Sequence, residues 1–277
     1  MSVESASPQP GPIVYEVSDR VAMITLSRPH RRNAWTGRMH ADYREALERA
    51  ELDPAVRAIV VTGAEQTFCV GADSAALDGH VEKGGYDSGL RSKPAMPGAG
   101  VDPRFEADFA YHFALTKPVV AAINGAAAGV GLVLACYADI RFAVPSVKLT
   151  TAHGRLNLPA EYGLSWLLPR LIGTSRATEL LFTSRVFTTD EAHALGLVHQ
   201  IFEPQDLVSE TVRWTHALIS DVSAGSLAAT KRQLYVDLHG DIRSSVEDAQ
   251  RRLEAMMTEE DYERGVRALL NREPPNF

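Results

Sequence analysis

Between Ile123 and Ala143 the chain reads INGAAAGVGLVLACYADIRFA, and its first thirteen positions carry a single polar side chain, Asn124. Such a stretch is a buried packing element, a membrane helix, or a place where backbone groups rather than side chains do the chemistry. The membrane alternative fails on composition. Residues 118–135 are mostly Ala and Gly, which are weakly lipophilic. Pro118, Asn124 and Gly131 interrupt a continuous spanning helix, even though Gly125 and Gly129 have the GxxxG spacing that helps membrane helices associate. What is left is a strand, PVVAAI (118–123), a glycine-spaced turn and an apolar helix. The first N–H groups of that helix, at Val130 and its neighbours, have no intrahelical acceptor. Small side chains around them would let a ligand come within hydrogen-bonding distance.

The chain has 277 residues, 45% of them hydrophobic, which is enough for one large domain or a core domain with an appendage. A formal net charge of −7 gives no global attraction to nucleic acid or to anionic lipid. Cys69 and Cys136 have neither CxxC spacing nor a histidine cluster beside them, so no disulfide framework or metal site is expected, and a reducing, cytoplasmic setting fits. The opening MSVESASPQPGP has no basic segment leading into an apolar run. It reads as a disordered leader over 1–12, with order beginning near Ile13.

Two short β-rich runs, IVYEV (13–17) and VAMITL (21–26), suggest a hairpin. Met39, Tyr43, Ala46, Leu47 and Ala50 recur at helical spacing, and VRAIVVT (56–62) reads as a buried strand. A second round follows through FCV, a Gly/Pro-rich interval from about Leu77 to Pro103 suited to a cover over a site, a helix near 105–115, and the strand at 118–123. Beyond Pro204 the periodicity is helical throughout, with Ile242, Val246, Ala249, Leu253 and Met256 stepping by three and four. The expected division is therefore a core over 13–203 and a helical oligomerisation region over 204–277, whose apolar stripes call for burial at a subunit interface.

Upstream, FCVGADSAAL (68–77) is another small-residue turn after a strand, and the N–H of Ala72 is placed to face a ligand as Val130 does. Two backbone donors aimed at one carbonyl oxygen form an oxyanion hole, each hydrogen bond being worth roughly 3–4 kcal/mol of transition-state stabilisation. A dinucleotide-binding loop shares the strand–turn–helix order, but GVGLVL breaks the GxGxxG fingerprint and Asp139 follows too closely to hold a ribose. GLSWL (163–167) is not a GxSxG nucleophile elbow.

Four stretches in order, VAMITLSRPHRRNAW, FCVGADSAAL, KPVVAAINGAAAGVGLVLACYADIRFA and EYGLSWLLPRLIG, resemble the crotonase, or enoyl-CoA hydratase/isomerase, family over nearly everything after Ile13. The resemblance implies an α/β fold, a spiral of ββα repeats followed by a C-terminal α-helical trimerisation region, assembled as a homotrimer or as a hexamer made of two trimers. It implies an acyl-CoA or enoyl-CoA thioester as substrate, coenzyme A entering as part of that substrate and no tightly bound cofactor. It also implies that Ala72 and Val130 N–H groups hold the thioester oxygen as an enolate forms. RPHRRNA (28–34), with Arg28 and Ala34 matching most directly, would lie beside the coenzyme A phosphates and adenine, and Ala72, Asp73 and Leu77 would contact the same ligand. A solvated charge run is the structural alternative for the arginines.

The chain departs from the family's hydratases where they carry two glutamates that grip the added water. Val133 stands at the first position and His153 at the second. Glu161, in LPAEYGLSW, falls instead where the family's double-bond isomerases place a catalytic carboxylate. A single carboxylate taking a proton from C2 and returning it at C4 isomerises an enoyl thioester without bound water. Burial beside Leu158, Tyr162 and Trp166 would raise its pKa toward neutrality. The structural alternative is an ion pair with Arg170. His153 is either a second base or a lining residue, and Asp73 and Asp139 resemble structural positions. The expected activity is isomerisation. The alternatives are a hydratase with one acid/base and a non-catalytic acyl-CoA binder.

Overall fold

The computed structural model describes residues 11–83, 96–98 and 100–277. The expected leader lies outside the described residues up to position 10, and so do residues 84–95 and 99 of the 77–103 interval. The chain begins with the antiparallel hairpin β1 (Ile13–Ser18) and β2 (Val21–Leu26), continues through α1 (Gly37–Leu52), and then enters β3 (Ala58–Gly63) and the short β4 (Thr67–Cys69). After α2 (Ser74–Lys83) come β5 (Val119–Ile123), β6 (Ala126–Ala128), α3 (Val130–Tyr137), β7 (Ile140–Ala143) and β8 (Lys148–Thr150). The helices α4 (Leu164–Ile172) and α5 (Thr174–Thr183), β9 (Phe187–Thr188), α6 (Thr189–Ala194) and β10 (Gln200–Ile201) complete the strand-bearing part. Four helices close the chain: α7 (Leu207–Asp221), α8 (Ala224–Asp237), α9 (Ile242–Met256) and α10 (Glu260–Asn271).

The strands divide between two sheets, one in the order β1-β2-β3-β5-β7-β10 and one in the order β4-β6-β8-β9. Each of β3, β5 and β7 turns directly into its partner in the second sheet, so every ββ step advances the chain one place along both sheets, and the result is a spiral. The corners need glycine. A Cβ at Gly63 would meet the Thr67 carbonyl oxygen at 2.0 Å, and one at Gly125 would meet that of Gln66 at 2.1 Å. The lone polar side chain of the inert stretch binds consecutive corners together: Asn124 Oδ1 accepts from Gly63 N–H at 3.1 Å, while its Nδ2 donates to the Gly63 and Glu65 carbonyls at 2.7 and 2.8 Å.

Helix α1 starts where Thr36 Oγ1 accepts from Met39 N–H, and it buries Met39, Tyr43, Leu47 and Ala50 at the spacing read from sequence. Helix α3 is buried at all eight of its positions, which explains its lack of any polar face. Helix α7 covers the outer face of the first sheet, where Leu207 and Ile219 join a core with Val21, Val60, Val120 and Phe142.

The segment expected as a helix over 105–115 differs. It consists of two 3₁₀ turns, Pro103–Phe105 and Ala110–Ala114, separated by Phe109 in a left-handed conformation at φ +64°. Phe105, Phe109, Tyr111, His112 and Phe113 are all buried, so no single stripe exists for an α-helix to turn inward. The C-terminal region is helical as the periodicity predicts, and it includes α10, whose stretch carries no separately read stripe. Helices α9 and α10 have no fully buried residue, and Ile242, Leu269 and Leu270 are 80%, 77% and 76% exposed.

Candidate active site

Two backbone turns from the second sheet sit side by side. Beyond β4 the chain passes through Gly71 at φ +100° and forms a parallel bridge with Trp35: Trp35 N–H donates to the Gly71 carbonyl at 2.7 Å and Asp73 N–H to the Trp35 carbonyl at 2.9 Å. Because alternate groups of a strand point to opposite sides, the N–H of Ala72 faces away from this bridge, and among the described residues it has no acceptor. The second turn centres on Gly129, at φ +48°, whose N–H donates to Thr150. Val130 is the first residue of α3, and its N–H likewise has no acceptor among the described residues.

The two turns touch through glycine. A Cβ on Gly71 would lie 3.1 Å from the Ala128 carbonyl oxygen, and one on Gly129 would lie 3.9 Å from the Gly71 Cα. One residue further into α3, Gly131 lies against β4 so closely that a Cβ there would be 2.1 Å from the Cys69 carbonyl oxygen. The small residues of the inert stretch therefore serve close backbone approach.

Ala72 and Val130 open onto one cleft of about 180 Å³, also lined by Trp35, His40, Leu77, His153, Leu158, Glu161 and Tyr162. Glu161 is half-buried. Burial raises its pKa above the usual carboxylate value, and the neighbouring His153 partly opposes that rise. Arg170, the ion-pair alternative for Glu161, lies instead with its guanidinium 4.0 Å from the Trp166 ring centre and donates to the Trp166 carbonyl at 2.8 Å. Tyr162 shares the cleft with Glu161, whereas Trp166 lines a separate cavity. His153 is 7% exposed and its Nδ1 is buried without a partner among the described residues. Val133 is buried inside α3.

Arg28 and Ala34 are absent from the lining of this cleft and brace its rim. Arg28 Nη2 forms an ion pair with Asp73 Oδ2 at 2.9 Å, and Nη1 donates to the Ala34 carbonyl at 2.5 Å. Burial would raise the Asp73 pKa, but the Ala75 N–H and the Arg28 charge outweigh it, and the carboxyl lies below its usual value. Asn33, fully buried, accepts from Arg28 N–H and donates to the Ala64 and Thr67 carbonyls, so the 28–34 loop is fastened to β4. Arg31 and Arg32 are the exposed cations of this loop.

Trp35 and His40 were not singled out in the sequence. Trp35 follows the RRNA loop, and His40 lies in α1 next to Met39 of the buried stripe. In the folded chain His40 stacks on Phe109 at 5.1 Å and lies 5.7 Å from Trp35. Burial lowers its pKa to about 4, with Asp108 opposing and Arg44 adding to the shift, so the ring is neutral at pH 7. Cys69 and Cys136 are free, buried thiols whose pKa burial pushes up to about 12. Among the described residues no helix is long and apolar enough to cross a membrane, and no three His, Cys, Asp or Glu side chains cluster as metal ligands.

Residues 16–277 match the family model described as enoyl-CoA hydratase/isomerase. The chain is 32% identical over 268 residues to a 1,2-epoxyphenylacetyl-CoA isomerase of Escherichia coli, covering 96% of this chain and 97% of that protein. It is 38% identical over 189 residues to a probable enoyl-CoA hydratase of Mycobacterium tuberculosis, covering 68% and 69% of the two chains. Among solved structures, a probable enoyl-CoA hydratase/isomerase from Mycobacterium abscessus superposes with a TM-score of 0.82 at 30% identity, covering 96% of this chain and 98% of that one.

Proposed function

The chain belongs to the enoyl-CoA hydratase/isomerase family, and from that premise we propose that it moves the double bond of an enoyl-CoA thioester, with Glu161 as the single acid/base. The thioester oxygen accepts hydrogen bonds from Ala72 and Val130 N–H. These dipoles are fixed in advance, and the second stands at the start of α3, so negative charge on the oxygen is stabilised without reorganisation. The Glu161 carboxylate takes a proton from C2 of a 3-enoyl thioester, the electron pair spreads over C2, C4 and the held oxygen, and the same carboxyl returns the proton at C4. The product is the conjugated 2-enoyl thioester. The coenzyme A portion runs past Leu77 and Asp73 along the 28–34 loop, with Arg28 and Ala34 bracing that loop from within and the exposed Arg31 and Arg32 meeting phosphate oxygens.

The observation that carries this reading is that one carboxyl with a raised pKa, Glu161, shares a cleft with two backbone N–H groups that have no acceptor among the described residues. The test is incubation with 3-enoyl and 2-enoyl thioesters, followed by the absorbance of the conjugated thioester. Wild type converts the 3-enoyl substrate, and Glu161→Gln lowers kcat by about 10²–10⁴ while KM changes only a few-fold. No conversion of either thioester, or full activity in the variant, defeats the proposal.

The unpartnered Nδ1 of His153 favours one second reading, hydration of a 2-enoyl thioester by a water held between His153 and Glu161. A 3-hydroxyacyl product would identify it. Binding without any turnover would instead mark a non-catalytic acyl-CoA protein. The exposed apolar side chains of α9 and α10 support assembly into trimers or hexamers, which light scattering measures.

A further inference from the structure

A second cavity of about 370 Å³ adjoins the cleft, and among the described residues the one lining residue the two share is Tyr162, the neighbour of Glu161 in sequence. The walls of this second cavity are ring-bearing: Phe105, Phe113, Tyr137, Tyr162, Trp166 and His239. Trp166 and His239 stack at 5.1 Å with their planes 12° apart, and Phe113 lies 5.1 Å from Tyr137. Charged groups stand only at its edge, on Arg104 and Asp108.

Tyr162 is set by an unusual backbone. It and Gly163 take consecutive left-handed conformations, at φ +50° and +74°, and a Cβ at 163 would come within 2.9 Å of Tyr137 Oη. Tyr137 OH donates to the Tyr162 carbonyl at 2.8 Å, and the Tyr162 ring meets Phe109 edge-to-face at 5.0 Å. This geometry fixes Tyr162 where the cleft and the aromatic cavity meet.

We propose that the cavity beside Tyr162 receives the distal part of the acyl group, and that its aromatic walls select acyl groups ending in an aryl ring. The inference rests on the thioester reading above. It adds the substrate class, because the cleft that holds Glu161 and a space lined by rings meet at one residue, Tyr162. A flat ring fits that lining better than a flexible chain, since it meets several ring faces and edges in favourable geometry and loses less rotational freedom on binding.

The experiment measures dissociation constants of three saturated thioesters, hexanoyl-CoA, dodecanoyl-CoA and 6-phenylhexanoyl-CoA, by calorimetry on wild type, Trp166→Ala and Ala107→Phe. Trp166→Ala removes one wall, and Ala107→Phe fills the cavity from an exposed position that places little demand on folding. Wild type is expected to bind the phenyl thioester at least tenfold more tightly than hexanoyl-CoA and more tightly than dodecanoyl-CoA. Each variant is expected to weaken the phenyl thioester at least fivefold more than it weakens hexanoyl-CoA. Equal affinity for phenyl and hexanoyl thioesters, tighter binding of the straight twelve-carbon chain, or equal losses for all ligands in both variants would overturn the inference. Aryl-selective binding without turnover of any enoyl thioester would sink the isomerase reading and leave the cavity's assignment standing. Turnover without aryl selectivity would do the reverse, and no binding of any thioester would end both.

Discussion

Arg28 Nη2 stands 2.9 Å from Asp73 Oδ2, so the residue that most resembles a coenzyme A ligand is committed to the turn that presents Ala72. The Arg28 side chain is 19% exposed and that of Asp73 6%, placing this pair between surface and buried ion pairs in worth.

Removing the cation leaves Asp73 enclosed without its charge partner. Arg28→Ala is therefore expected to lower unfolding stability by about 2 kcal/mol in urea titrations. It should also lower kcat as well as affinity, because Ala72 N–H loses its fixed aim. A change in KM alone would assign Arg28 to phosphate binding and not to bracing.

The pKa of Glu161 gives a pH dependence with a defined sign. As a base it must be ionised, so activity falls as pH drops through its pKa, and burial moves that limb above the ordinary carboxylate range. His153 pulls the other way, so His153→Gln is expected to move the acidic limb of kcat/KM to higher pH. For stability, a folded-state pKa above the unfolded one means that Glu161 favours folding below the unfolded value and that this contribution is lost as pH rises through the raised pKa. Glu161→Gln should remove both dependences, and an unmoved limb in His153→Gln would contradict the assignment.

Gly131 tests the close contact of α3 with β4. A Cβ would sit 2.1 Å from the Cys69 carbonyl oxygen, a clash with backbone that no rotamer change relieves. Gly131→Ala is expected to cost at least ~3 kcal/mol, above the usual overpacking range, and to abolish turnover by parting the two turns. Calorimetric unfolding near the wild-type midpoint would show that the contact is softer than this.

Asp139 joins the strand-bearing part to the C-terminal helices. Its Oδ2 accepts from Val119 N–H and from Lys231 Nζ, both at 2.7 Å, and Oδ1 accepts from Tyr235 OH at 2.6 Å. Lys231 is 6% exposed, so Asp139→Ala leaves a buried cation unpaired and is expected to cost roughly 3–5 kcal/mol. Loosening of α8, read by hydrogen exchange, should accompany it.

The first five strands, α1, the two glycine turns and the helical end of the chain were legible because each is encoded by local periodicity or by small residues at fixed places, whereas β6 (Ala126–Ala128) lies inside the stretch that reads as a turn. The 3₁₀ turns around Phe109 were not, because rings buried on every side carry no helical stripe. Trp35, His40 and the cavity beside Tyr162 were also hidden, since they meet the site only through contacts between distant segments. Arg28 shows the same limit in one residue. Its loop read as a phosphate site, and only folding put Asp73 beside the guanidinium. The sequence by itself determined which backbone could approach closely, because glycine spacing is a local property. Tertiary structure decided which groups share a cleft and which are already spoken for, because burial and partnership depend on chain segments many residues apart.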